Sequence, residues 1–146
     1  MRWSLRRGAE AWREVSVAEG TPGPSPQRIV IVEDSLDSRE MLRYLLEHAG
    51  LEVHEAADGP SGLETILAIL PDLALVDVGL PGLDGYEVAR RVRADEAGRA
   101  VRLVALTGYG RPEDQRRSEE AGFDAYLVKP VDPVRLATVI GGARGG

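Results

Sequence analysis

Cysteine is absent from the 146 residues, which excludes disulfides and thiolate metal sites and makes a reducing cytoplasm the natural compartment. No apolar run approaches the length needed to span a bilayer, and no membrane partner is expected. The N-terminus lacks the apolar stretch of a secretory signal peptide. Positive charge is in deficit: the net charge of −6 and a pI near 5.0 argue against a nucleic-acid-binding surface. Lysine is the scarcest of the charged types. Of 18 basic residues only Lys129 is a lysine, so its place in the fold matters. A hydrophobic content of 43% is enough for one core, and the length suits one domain plus a tail.

Residues 1–27 read as that tail. They hold both tryptophans, Trp3 and Trp12, carry a side-chain charge of +1, and end in a Gly/Pro-rich stretch with the composition of a flexible linker. Leu5, Ala9 and Trp12 would share one helix face, but a turn or two is marginal alone, and disorder is expected. Residues 28–140 hold the remaining pattern, and residues 141–146 form a flexible Gly-rich end. Ile29 to Val32 make a β-branched strand followed by Glu33 and Asp34, with Ser35 as N-cap of a helix closed by Gly50. A more alternating strand at 51–56 has edge character. Asp58-Gly59-Pro60 opens a second helix, which Pro71 stops. Further strands are predicted at 73–76, 101–106 and 123–128, and further helices after Gly85, over 111–121 and over 131–140. Five strands alternating with five helices through short loops give a doubly wound, parallel α/β domain.

The chemistry gathers after the third strand. Leu73 to Val76 are apolar, Asp77 follows at once, and a loop rich in glycine and proline leads to a charged, amphipathic helix. As a turn residue Asp77 would merely end the strand, the commoner role of aspartate there. At the carboxyl end of a parallel strand it would instead stand where ligands collect. Glu33 and Asp34, Thr107 and Lys129 also lie at carboxyl ends of strands, so four polar signals spread along the sequence converge in space. Packed carboxylates repel unless a cation neutralises them, and hard oxygen ligands suit Mg²⁺ completed by phosphate oxygens. The lysine ammonium supplies a compact positive charge to a transferred phosphoryl group. Asp77 would then be a carboxylate nucleophile attacking phosphorus in line.

The motifs IVIVED, LALVDVGLPGLDGYEVARR, ALTGYG and AYLVKP resemble those of receiver domains of bacterial two-component response regulators, and the resemblance covers the whole domain. It implies a flavodoxin-like fold with strand order 2-1-3-4-5, in agreement with the edge character of the second strand. It further implies that Asp77 accepts a phosphoryl group from a histidine kinase or histidine phosphotransfer protein. Asp34 and Asp77 would ligate Mg²⁺ with the backbone carbonyl of Gly79, and Glu33 would act through water. Thr107 and Lys129 match the hydroxyl and ammonium that sense the phosphoryl group, and Tyr126 matches the switch aromatic. The Lys129-Pro130 bond is expected to be cis. Gly79 stands where many relatives carry a shielding side chain, so the rate of dephosphorylation does not carry over.

Only six residues follow Ile140, which suits either a single-domain regulator or the receiver end of a hybrid histidine kinase. A downstream protein partner and a phosphorylation-dependent dimer are both compatible with the sequence. Two other classes compete. An aspartyl-nucleophile phosphohydrolase would want a second acid two residues after Asp77, where this chain has Gly79. A flavodoxin-like FMN binder would want hydroxyls and amides after the first strand, where Glu33 and Asp34 would repel a flavin phosphate.

Overall fold

The computed structural model describes residues 27–141 throughout, together with three short strand segments, Arg2–Leu5, Trp12–Val15 and Arg144–Gly145. The domain runs β1 (Arg28–Val32), α1 (Leu36–His48), β2 (Glu52–Ala56), α2 (Gly59–Ile69), β3 (Leu73–Asp77), α3 (Gly85–Ala94), a 3₁₀ turn (Glu96–Ala100), β4 (Arg102–Thr107), α4 (Pro112–Ala121), β5 (Ala125–Val128) and α5 (Pro133–Gly141). All strand pairings in this sheet are parallel and its order is 2-1-3-4-5, as expected.

Alternation along the buried strands divides the core into two layers. Ile29, Ile31, Leu73, Leu75, Val104 and Leu106 face α1 and α5, where Leu42, Leu46, Leu136 and Val139 meet them. Val30, Val32, Ala74, Val76, Leu103 and Ala105 face the other side, where Ile66, Val88, Ala89, Val92 and Ala121 of α2, α3 and α4 pack. Burial on both faces explains the unbroken apolar runs of β1 and β3.

The helix starts follow their capping residues. Ser35 accepts the Ser38 N–H at 3.4 Å, and Asp58 accepts the Ser61 N–H at 2.8 Å with Pro60 in the first turn. Gly50, at φ +87°, leads the chain out of α1. Several boundaries differ by a residue or two from those predicted, among them β4, which runs over Arg102–Thr107. Arg111 is the N-cap of α4 and not its first residue, β5 begins at Ala125, and α5 begins at Pro133. The 3₁₀ turn was not predicted; Asp95 caps it by accepting the Ala97 N–H at 2.9 Å. The Lys129-Pro130 bond is cis.

Outside the domain the segments Arg2–Leu5 and Trp12–Val15 pair antiparallel, and Arg144–Gly145 runs parallel to the first. Strand pairing is what these three segments show, and the other residues of the expected tail and C-terminal end lie outside the described residues, save Gln27 and Gly141. The linker expected before Gln27 lies outside the described residues.

Candidate functional site

Glu33, Asp77 and Lys129 are anchored by the strand ladder continuing to the sheet's carboxyl edge past the apolar runs. The Glu33 N–H donates to Ala56 O at 3.1 Å, and the Lys129 N–H donates to Thr107 O at 2.8 Å. Asp77 stands in register with Leu106, whose carbonyl accepts the Val78 N–H at 3.0 Å. The site floor is thus rigid backbone. On its flank, α3 begins so close to β3 that a Cβ on Gly85 would collide with the Asp77 carbonyl oxygen and lie 2.7 Å from Val78 Cα. Only glycine allows the helix to start against the peptide of the central aspartate.

The side chains of Glu33, Asp34, Asp77 and Lys129 come together at this edge. The carboxylates of Glu33, Asp34 and Asp77 offer oxygens within 4.8 Å of one another, Glu33 and Asp77 buried and Asp34 exposed. Lys129 Nζ bridges the two buried acids, donating to Asp77 Oδ2 at 2.6 Å and to Glu33 Oε1 at 2.9 Å. Asp77 Oδ1 accepts the Gly79 N–H at 2.8 Å. Glu33 Oε2 is buried without a hydrogen-bond partner. Three carboxylates within reach of one another, one of them with a buried oxygen left unpartnered, make the donor set a hard divalent cation requires, so the residues present fit Mg²⁺.

Electrostatics separates the three charges. Burial pushes the Glu33 carboxyl up to about 7, helped by its hydrogen bond to Asp77 and opposed by Lys129. Burial also raises Asp77, but hydrogen bonds from Glu33, Lys129 and the Gly79 N–H outweigh it and hold this carboxyl below its ordinary value. Lys129 loses hydration yet is raised, because Asp77 and Glu33 both stabilise the ammonium. Of the two buried acids, Asp77 is therefore the one ionised at neutral pH, and Glu33 is the one that holds a proton more readily.

This arrangement fixes a pH dependence for the metal-free domain. Between the ordinary value of 4.5 and about 7 the folded protein keeps a proton on Glu33 that the unfolded chain has lost, so stability falls as pH rises through that window. The lowered Asp77 acts below 3.8 and the raised Lys129 above 10.5, so neither contributes there. At about 1.4 kcal/mol per pH unit the loss is on the order of 3 kcal/mol. Urea unfolding in EDTA at pH 5 and pH 8 should show the decline, and Glu33→Gln should remove most of the difference between the two. An equal decline in the variant would assign it to other groups.

Other expected residues are placed less directly. Thr107 is buried, and its hydroxyl donates to Tyr109 O at 2.7 Å instead of to the acidic cluster. Tyr126 is half-buried and packs against the core layer shared by α2, α3 and α4. Gly79 is exposed; a Cβ there would stand 3.4 Å from Asp77 Oδ1, so glycine leaves the carboxylate uncovered. Sequence reasoning missed Arg39, whose Nη1 donates to the Glu33 carbonyl at 2.8 Å. No motif marks it, since it reads as one of several polar residues at helical spacing.

Comparison with known proteins agrees with this geometry. The family model for the response regulator receiver domain matches residues 29–141. The phosphate regulon transcriptional regulatory protein PhoB of Escherichia coli K12 is 36% identical over 78% of this chain, and the chain spans 50% of that protein's length. A CheY-like response regulator receiver domain protein of Methanospirillum hungatei superposes with a TM-score of 0.72 at 35% identity, covering 80% of this chain and 91% of that one. The receiver domain of a sensor histidine kinase of Pseudomonas aeruginosa, solved with a magnesium ion coordinated in its active-site cleft, gives a TM-score of 0.73 at 33% identity over 79% of this chain and 94% of that one. No helix among the described residues is long and apolar enough to cross a membrane. With the family match spanning the whole sheet and the acidic cluster at its carboxyl edge, the chain belongs to the response regulator receiver domain family, phosphoacceptor modules of signal transduction and not enzymes acting on a separate substrate.

Proposed function

We propose that Asp77 takes a phosphoryl group from a phosphohistidine of a histidine kinase or histidine phosphotransfer protein, in the cytoplasm. The observation that carries this is the Asp77 carboxylate itself: ionised, at the end of a buried strand, with one oxygen on the Gly79 N–H and the other on Lys129. An Asp77 oxygen bonds to phosphorus as the phosphorus–nitrogen bond to the donor histidine breaks, and the imidazole leaves with the electron pair and is protonated. Lys129, already within 2.6 Å of that carboxylate, is placed to hold the charge of the arriving phosphoryl oxygens. Asp34, Asp77 and the Gly79 carbonyl would hold Mg²⁺, with Glu33 behind them through water. When bound, the ion neutralises the carboxylates and the phosphoryl charge.

Thr107 and Tyr126 are assigned to the switch. The Thr107 hydroxyl must give up Tyr109 O before it can donate to a phosphoryl oxygen, and that frees the 108–110 loop at the start of α4. Helix α4 is weakly held: it has no side-chain N-cap hydrogen bond, it buries only Ser118 and Ala121, and the Ser118 hydroxyl is buried without a partner. It is the element most easily shifted toward a downstream protein.

The test is phosphorylation of the full chain by acetyl phosphate with Mg²⁺, followed by intact mass and hydroxylamine treatment. One added phosphoryl mass that hydroxylamine removes supports an acyl phosphate. A hydroxylamine-resistant label on a serine, threonine or tyrosine overturns it.

A further inference from the structure

Behind the acidic corner, on the side of α1 and β2, stands a group of charges that the phosphoacceptor chemistry does not use. Arg39 is 15% exposed; its Nε donates to Glu55 Oε1 at 3.1 Å, and its Nη1 donates to the backbone carbonyl of Glu33 at 2.8 Å. Glu55 is also held from the next turn of α1, where Arg43 Nη1 donates to its Oε2 at 2.7 Å. Hydrogen bonds from Arg43 and Arg39 keep the Glu55 carboxyl below its ordinary value, so the anchor stays charged. Two arginines therefore grip one glutamate, and only one of them touches the site.

The touched atom matters because of where it sits. The last β1 residue paired with β2 is Val32, so the Glu33 carbonyl lies one step beyond the ladder and has no strand partner. It belongs to the planar peptide that joins Glu33 to Asp34. With the Glu33 N–H fixed on Ala56 O and its carbonyl fixed on Arg39, the backbone of the buried acid is held at both ends. The orientation of that peptide plane also sets the direction in which Asp34 leaves the chain. Asp34 is exposed, and no hydrogen bond from the described residues reaches its carboxylate, so its aim follows the peptide that carries it.

We propose that Arg39 is a positioning residue for the metal-binding corner, acting through the Glu33–Asp34 peptide with Glu55 as its anchor. This rests on the Mg²⁺ site described above. Charge alone predicts the opposite consequence: a guanidinium near the cluster repels Mg²⁺, so deleting it would tighten binding. Positioning predicts weaker binding, because outer partners of metal ligands typically contribute about 10-fold to 100-fold in affinity. The sign of the change separates the two.

Mg²⁺ titration calorimetry on the full chain, paired with urea unfolding in EDTA, tests this. Arg39→Met should weaken Mg²⁺ about 10-fold. It leaves Glu55 on Arg43, so no buried charge is stranded. Arg39→Lys should weaken binding by roughly threefold, since an ammonium can reach the carbonyl but cannot also fork onto Glu55. Arg43→Met removes a comparable pairing to Glu55 without touching Glu33; its Mg²⁺ affinity should stay within about twofold of wild type while its stability in EDTA drops. Unchanged or tighter binding in both Arg39 variants, or an equal loss in Arg43→Met, would overturn the proposal. A wild-type chain that binds no Mg²⁺ would remove the metal site and this inference together.

Discussion

Asp77→Asn is expected to abolish phosphoryl uptake from acetyl phosphate while leaving the domain folded. The amide keeps the size of the carboxylate and an oxygen for the Gly79 N–H, but it has no anionic oxygen with which to attack phosphorus. The electrostatics favours retention of the fold. Lys129 loses Asp77 but keeps Glu33 at 2.9 Å, so the ammonium is not left unpaired. Burial and Asp77 together hold the Glu33 carboxyl at about 7; without the charge of Asp77 it falls, and Glu33 becomes the ionised partner of Lys129 at neutral pH. The metal-free variant should therefore unfold in urea at a midpoint no lower than wild type at pH 7.5. Mass spectrometry should show no added phosphoryl group under conditions that label the wild type. Uptake persisting in a folded Asp77→Asn chain would move the acceptor to another residue, with Asp34 the first to map.

The sheet and the convergence of the site were legible because both follow from local rules. β-branched runs buried on two faces read as parallel strands, Ser35 reads as an N-cap and Asp58-Gly59-Pro60 as a helix start, and in a parallel sheet every strand's carboxyl end lies on one edge. Glu33, Asp34, Asp77 and Lys129 could thus be brought together from their positions alone. What stayed hidden depends on long side chains crossing between elements. Nothing in the sequence shows that the Thr107 hydroxyl turns to Tyr109 O, or that Arg39 reaches back to the Glu33 carbonyl. The pairing of Arg2–Leu5 with Arg144–Gly145 joins opposite ends of the chain, and no periodicity within a segment reports its distant partner. Arg93 is the clearest case. At helical spacing beside Arg90 and Arg91 it reads as one more solvated charge, yet it lies inward.

Arg93→Met is accordingly expected to be among the most destabilising changes in the domain, on the order of 3–5 kcal/mol, the usual cost of breaking one side of a buried ion pair. Its Nη2 donates to Asp124 Oδ2 at 2.7 Å, with the two side chains only 16% and 11% exposed. Nη1 donates to Val101 O at 2.7 Å and to the Gly98 and Arg99 carbonyls at 3.2 Å, and Nε donates to Gly122 O at 2.9 Å. One guanidinium thereby ties the end of α3 to the 3₁₀ turn, the approach to β4 and the C-cap of α4. Methionine would fill much of the space but satisfy none of these acceptors. Lysine should rescue little, because a single ammonium cannot serve Gly122 O, Val101 O and Asp124 from one position. Arg91 provides the control: it pairs with Glu87 at 3.1 Å where the side chains are 55% and 39% exposed, and Arg91→Met should stay within about 0.5 kcal/mol of wild type. Urea midpoints with unchanged slopes would measure both changes. Because Gly122 caps α4, the loss should also speed amide exchange in that helix before the rest of the sheet. Equal midpoints for Arg93→Met and Arg91→Met would mean that water satisfies the carbonyls as well as the arginine does, and that Arg93 holds nothing together.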